Sequence, residues 1–289
     1  MPAPENSSSD KSTYAIDAEN AAEMARLMGQ DRLLTKTMGG LLPADADLST
    51  MNNILDIASG PGGWVLDVAT AYPHIAVTGV DISHLMVAYA QSQAQERDVD
   101  NAHFKVMNVL EPLDFADNTF DLVNVRFISA FMPVTAWAVL VQECMRILKP
   151  RGILHLTEFE LPLSNSSAFE KLMGLAIRSF QMSKLSFSPE GRNVGITFML
   201  GRFLRNAQFE NIQHQAYAME FSQGTENHMA MYQNWMIASK LVQPYLVKLG
   251  LATQEELELL YQQMLAEMTG DDFCAVWHLM SAWGWKPEK

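Results

Sequence analysis

Residues 53–69 read Asn53-Ile54-Leu55-Asp56-Ile57-Ala58-Ser59-Gly60-Pro61-Gly62-Gly63-Trp64-Val65-Leu66-Asp67-Val68-Ala69. Ile54, Leu55 and Ile57 make a short apolar run suited to a strand buried on both faces. Ser59 to Gly63 must turn sharply, and helical spacing returns from Trp64, so the stretch reads as strand, glycine turn, helix. Gly60 and Gly62 carry no Cβ, which lets the backbone take strained dihedrals and lets a ligand approach main-chain atoms. The helix that follows turns its unpaired N–H groups and positive dipole end toward the same spot, which favours a carboxylate or phosphate.

Two ligand types fit such a turn. A dinucleotide fold asks for Gly-x-Gly-x-x-Gly, and Val65 stands where the third glycine belongs. Asp56, four residues before Gly60, is an acid that the plain dinucleotide fingerprint does not require. Ile75 to Val80 is a second apolar strand, ending in Asp81, whose carboxylate would stand at the strand's C-terminal edge and accept both ribose hydroxyl protons. That serves an NAD ribose or an adenosine ribose equally.

The pattern acidic-x-small-x-Gly-x-Gly, filled by Asp56, Ala58, Gly60 and Gly62, with Asp81 ending the next strand, resembles the class I S-adenosylmethionine-dependent methyltransferases. Three later stretches agree in order and spacing. Phe104 to Val109 resembles the third strand and the adenine-flanking loop, Asn118 to Val123 the fourth strand, and Leu148 to Leu154 the turn into the fifth. The similarity covers roughly residues 50 to 160. It implies S-adenosyl-L-methionine as cofactor and S-adenosyl-L-homocysteine as product. By the same resemblance Ala58, Ser59, Gly60 and Gly62 would border the methionine end, and Asp56 would reach its amino group directly or through water. Asp81 would hold the ribose diol, Asn108 and Val109 would flank the adenine, and Ile82 and Met86 would pack on the rings. Asn108 departs from the family, which often has aspartate there; its amide oxygen can still accept a hydrogen bond.

Composition narrows the substrate. A net charge of −13 over 289 residues argues against nucleic acid, because phosphate binding needs a basic stripe. Cys144 and Cys274 stand far apart with no partner motif, which supports neither a disulfide nor a metal site. No signal-peptide pattern and no run of about eighteen apolar residues occur, so the expectation is a soluble, cytoplasmic protein without a membrane span.

Residues 1–13 are expected to be a disordered tail, and 14–50 an N-terminal helical segment closing over the cofactor. Its helix would run from Asp17, as N-cap, to Met38, with Tyr14 and Arg32 as candidates for touching the cofactor. Strands at 53–58, 75–80, 103–107, 120–125 and 152–158 alternate with helices at 62–71, 83–97 and 134–148. This rhythm predicts an α/β, Rossmann-like, doubly wound fold, with a mostly parallel seven-stranded sheet and helices on both faces. Residues 51–160 would be the cofactor-binding core. Residues 161–289 would complete the sheet with an edge strand at 212–221 and a last strand at 273–283. Helices at 164–184, 196–207, 226–248 and 254–268 interrupt this half, several of them as a helical cap. Met173, Met182, Met199, Met219, Met229, Met231 and Met236 make it rich in thioethers, which suits either ordinary core filling or a pocket for a bulky apolar substrate. Exposed apolar cap helices would permit a homodimer.

Methyl transfer from a sulfonium asks the protein to align a nucleophile, exclude water and, where needed, take a proton. Residues after strand four lie closest to the transferring methyl in the family, which directs attention to Asn124, Arg126 and Ser129. Arg126 would pair with a cofactor carboxylate or carbonyl, or else with Asp121 or Glu158. Glu158 is a candidate general base or cation holder, with His214, His228 and Tyr232 as further base candidates. The best reading is a methyltransferase acting on a small, apolar, natural-product-like molecule. The rivals are an NAD-dependent oxidoreductase and a cofactor-binding protein or cyclase that transfers no methyl.

Overall fold

Strand β1 (Asn53–Ile57) lies in the middle of the sheet in the computed structural model, which describes residues 15–17, 19–43 and 45–289. The expected tail and Tyr14 fall outside the described residues. After β1 come α2 (Gly63–Ala71), β2 (Ala76–Asp81), α3 (His84–Glu96), β3 (Ala102–Val106), β4 (Phe120–Arg126), α4 (Trp137–Ile147) and β5 (Leu148–Phe159). The sheet runs β3-β2-β1-β4-β5 in parallel. The last strand, β8 (Ala275–Trp285), joins β5 antiparallel, and β7 (Glu210–Glu220) covers the far side of β8 as the edge. Seven long strands thus form the sheet that alternation predicts. A two-residue strand, β6 (Leu163–Ser164), extends it by pairing with Ala275 and Val276 of β8, beyond the end of β5. Nothing in so short a segment announces pairing in the sequence.

Both faces of the sheet are covered, which is why β1 and β4 carry nearly unbroken burial. One face packs Ile54, Leu122 and Ile153 with Val65, Val87 and Ala90 of α2 and α3. The other packs Leu55, Ile57, Val123 and Leu154 with Leu140, Val141 and Cys144 of α4 and with Leu204 of α6 (Leu200–Asn206).

The remaining helices are α1 (Ala21–Thr37), α5 (Ser167–Met182), α7 (His228–Leu241), α8 (Gln243–Lys248) and α9 (Gln254–Met268). Helix α1 starts later than expected, because Asn20 rather than Asp17 caps it: the Asn20 side chain accepts from the N–H groups of Ala22 and Glu23. The run expected as one helix over 226–248 is two, broken at Val242, with Pro244 in the first turn of α8, where its missing N–H costs nothing. Together these helices form their own core, in which Leu34 of α1 meets Phe169, Phe221, Trp235, Trp277 and Met264. Among the described residues, no helix is long and apolar enough to cross a membrane.

Candidate active site

The turn after β1 is built on three successive left-handed residues at alternate positions, Ala58 (φ 58°), Gly60 (φ 52°) and Gly62 (φ 81°). Gly62 has no room for a side chain: an added Cβ would lie 2.6 Å from Phe104 and 2.7 Å from Ala90. At Gly60 the same atom would meet nothing within 4 Å, so that stretch of backbone is bare toward open space. Asp81, ending β2, reaches back to this turn. Its Oδ2 accepts from the Gly60 N–H at 2.8 Å and its Oδ1 from the Ser83 N–H at 2.9 Å. A carboxylate has about four acceptor positions, so capacity remains for a ligand. Burial raises the pKa of Asp81, and the two backbone donors work against that rise. Ser59 Oγ is buried with no hydrogen-bond partner among the described residues, and it packs against Gly79 of β2, where an added Cβ would lie 2.7 Å from it.

Beside this turn lies a cleft of about 170 Å³ at the C-terminal edge of the parallel strands. Asp56, Ala58, Ser59, Gly60, Asp81, Ile82, Met86, Asn108, Val109 and Arg126 all line it. Of the candidates drawn from the glycine turn and the strands after it, Gly62 does not face the cleft; it packs into the wall behind. Asp56 is 3% exposed and receives a hydrogen bond from Asn124 Nδ2 at 2.8 Å. Burial, only partly offset by the Arg126 charge, raises its pKa to about 7.

Arg126 corrects an expectation. Its partner is neither Asp121 nor Glu158 but Asp31 of α1, at 2.7 Å, and its guanidinium lies 5.7 Å from the Trp64 ring centroid. Asp121 is instead held by Lys149 and by the N–H groups of Asn52 and Asn53. Asp31 also stands against the start of α2, where a Cβ on Gly63 would meet its Oδ2 at 2.4 Å. Leu27, Gln30, Asp31 and Leu34 therefore form one wall of the cleft, whereas Arg32 is exposed and absent from it. The spacing of α1 contained this signal: 27, 30, 31 and 34 share one helical face, and 32 lies off it.

Glu158 does not face the cleft. It is 1% exposed, and its carboxylate accepts from the Ser129 N–H at 3.0 Å and the Ser129 hydroxyl at 2.6 Å. The acid thus fastens the segment after β4, which carries Phe127 and Phe131 into the cleft. Phe127 itself is left-handed (φ 59°), an uncommon state for a bulky residue and one that marks constrained backbone at a site. Neither phenylalanine is foreseeable from sequence, since no residue pattern announces a left-handed backbone at Phe127 or the short turn that brings Phe131 in after it.

Burial raises the Glu158 pKa to about 8, above its ordinary 4.5. A carboxyl raised in the folded state binds its proton more tightly there than in the unfolded chain. Stability from this group is therefore full below about pH 4.5 and is lost as pH rises toward 8, by up to about 1.4 kcal/mol per pH unit. Glu158→Gln should flatten the fall in denaturation midpoint between pH 5 and 8; an unchanged slope would show that the acid titrates normally.

The histidine candidates lie elsewhere. His214 is exposed on edge strand β7, beside Gly201. His228 is buried at the start of α7, with its Nδ1 3.1 Å from the Phe221 carbonyl and its ring against Tyr232. None of the three belongs to the cleft wall. The methionine-rich half does not form the cleft either: Met219 and Met231 fill the helical core, Met173 and Met236 pack against it, and Met182 and Met229 are more than half exposed. Met199 packs on the sheet side, and the thioethers that do line the cleft belong to Met86 and Met107. Among the described residues no cluster could hold a metal.

Residues 54–152 match a family model described as a methyltransferase domain. Methyltransferase str3 of Strobilurus tenacellus is 34% identical over 112 residues, which is 39% of this chain and 37% of that protein. The matched part thus spans well under half of that relative's length. Among solved structures, YcgJ of Bacillus subtilis superimposes with a TM-score of 0.54 at 19% identity, covering 91% of this chain and 99% of that one. Phosphoethanolamine N-methyltransferase 2 of Haemonchus contortus, solved with S-adenosyl-L-methionine, gives 0.53 at 19% identity over 93% of this chain and 57% of that one. Sheet order and the glycine turn with the acid that ends β2 agree with that match, and over residues 54–152 the chain is similar to the methyltransferase domain the family model describes.

Proposed function

We infer that the protein binds S-adenosyl-L-methionine in this cleft and transfers its methyl group to a small, apolar acceptor, releasing S-adenosyl-L-homocysteine. The observation that carries the reading is Asp81: a half-buried carboxylate tied to the bare Gly60 turn, with acceptor capacity left over at the cleft. Its place fits a ribose diol. The open space at Gly60 fits a ligand lying against the turn. Ile82, Met86 and Val109 give apolar surface for a purine, and Asn108 supplies an amide at its edge. Asp56 and Arg126, with Asp31 beside them, offer both signs of charge to an amino-acid zwitterion.

The bound cofactor supplies an already activated methyl on a sulfonium, so the protein's own work is alignment and exclusion of water. Leu27, Leu34, Met107, Phe127 and Phe131 make the rest of the wall apolar, which supports an apolar acceptor. Net charge −13 disfavours nucleic acid in that role.

Incubation with methyl-labelled cofactor and a panel of apolar phenols, polyprenyl diphosphates and polar amines tests this reading. Label should pass to an apolar acceptor, and S-adenosyl-L-homocysteine should raise the melting temperature where NAD does not. Transfer to polar amines alone would overturn the acceptor assignment; stabilisation by NAD alone would overturn the cofactor.

A further inference from the structure

Four side chains stand in one row across the sheet face that lies under α2 and α3. Asp56 of β1 is opposite Asn124 of β4, Asn124 opposite His155 of β5, and His155 opposite Trp283 of β8. The neighbouring row on this face, Ile54, Leu122 and Ile153, is wholly apolar. In the polar row Asn124 Nδ2 donates to Asp56 Oδ1 at 2.8 Å, and Asn124 Oδ1 lies 2.9 Å from His155 Nδ1. Asp56, Asn124 and His155 are 3%, 0% and 6% exposed. The row meets the cleft at Asp56; Asn124 and His155 stand behind it.

The chemistry of each group orients the next. An ionised carboxylate only accepts, so the amide of Asn124 must turn its NH2 end to Asp56. Its oxygen is then left facing His155, whose Nδ1 must carry the proton. The imidazole is neutral, because burial and then the Arg126 charge push its pKa down to about 3. Trp283 closes the row edge-on to the His155 ring at 6.1 Å, and its own Nε1 donates to Asp45 at 2.8 Å. Each member is thereby fixed by the one behind it. Burying three polar side chains in the middle of a sheet is costly compared with an apolar row such as its neighbour, which points to a use beyond packing.

We propose that Asn124 and His155 are positioning residues that hold the Asp56 carboxylate oriented and available as an acceptor at the cleft, there to receive the cationic amino group of the adenosyl cofactor. The identity of that ligand rests on the methyltransferase reading; the relay itself does not. Asp56 is poised for such control. Arg126 favours its charged form, Asp31 and Asp81 oppose it, and burial opposes it most, leaving the group half-titrated near pH 7. One donated hydrogen bond then decides how much of the acid is ionised under ordinary conditions.

The test measures the Asp56 carboxyl titration by carbon NMR in the ligand-free protein, assigned with Asp56→Asn, together with calorimetric binding of S-adenosyl-L-homocysteine from pH 6 to 9. Asn124→Leu keeps the volume and removes the donor; the Asp56 midpoint should rise by about one unit or more, with affinity at pH 7 falling about tenfold and recovering toward pH 9. His155→Phe leaves Asn124 unanchored and should move both in the same direction by less, which keeps the test open if Asn124→Leu does not fold. Nitrogen shifts of the unmodified protein should show His155 protonated at Nδ1. An unmoved Asp56 midpoint in a folded variant, or an affinity loss equal at every pH, would reduce the row to packing and overturn the proposal. Failure of the unmodified protein to bind S-adenosyl-L-homocysteine would remove the ligand assignment, while the NMR midpoints would still decide the relay.

Discussion

Asp81→Ala is expected to weaken S-adenosyl-L-methionine binding by roughly a hundredfold or more while leaving the protein folded. A carboxylate that accepts two ribose hydroxyls makes charge-assisted bonds worth about 1.5–3 kcal/mol each, and a factor of ten in affinity is about 1.4 kcal/mol. The fold should tolerate the change, because burial already disfavours the charge. Of the two N–H groups released, that of Gly60 sits at a partly exposed residue where water can replace the acid, while that of Ser83 sits at a residue 2% exposed. Asp81→Asn separates charge from shape: it keeps an oxygen to accept but loses the ionised pair, and should fall between the two. Calorimetry with S-adenosyl-L-homocysteine reads all three proteins. Unchanged affinity in Asp81→Ala would mean that the cleft holds its ligand elsewhere.

The largest expected effect on stability is at Gly62. In Gly62→Ala the new methyl would sit 2.6 Å from the Phe104 ring and 2.7 Å from Ala90, on a residue whose φ is 81°. Overpacking of this kind costs about 1–3 kcal/mol and the left-handed backbone about 1–2 kcal/mol more. Ala90 belongs to α3 and Phe104 to β3, so relief would require moving a helix against the sheet. Gly60→Ala is the matched control, since its methyl would meet nothing within 4 Å and carries only the backbone cost at φ 52°. The midpoint in urea should therefore drop far more for Gly62→Ala than for Gly60→Ala, whereas Gly60→Ala should be the one that obstructs ligand at the bare turn. Equal losses of stability would show that backbone conformation, and not the Phe104 contact, fixes the glycine at 62.

The two glycines illustrate where sequence reading succeeds and where it stops. Both were legible as a turn, because only a residue without Cβ suits a strand-to-helix reversal of this length. Their different settings, one bare toward open space at the cleft and the other locking the turn onto β3 and α3, depend on neighbours about 30 or more residues away. The same division holds for the charges. Asp81 was placed correctly because its position at the end of a strand fixes where its carboxylate can point. Arg126 was assigned to the right edge, but of the protein acids neither Asp121 nor Glu158 pairs with it, since Asp31 reaches it from a helix that precedes the sheet. Glu158 was placed at the right strand end yet on the wrong face: β5 alternates, and residue 158 shares the side of Leu154 and Leu156, away from the cleft.

The amino-acid sequence by itself determined the alternation of strands and helices, the bend after β1 and the acids at 56 and 81. These are local matters: hydrophobic period sets each element, and a side chain's place along its strand sets the edge at which it emerges. Tertiary structure alone decided which residues complete the cleft. Asp31, Phe127 and Phe131, and the hydrogen-bonded row behind Asp56, come together through packing between segments tens of residues apart. It also turned Met219 and Met231, with Met173 and Met236 packed beside them, inward to a separate helical core, because apolar periodicity states that a face will be buried but not against what.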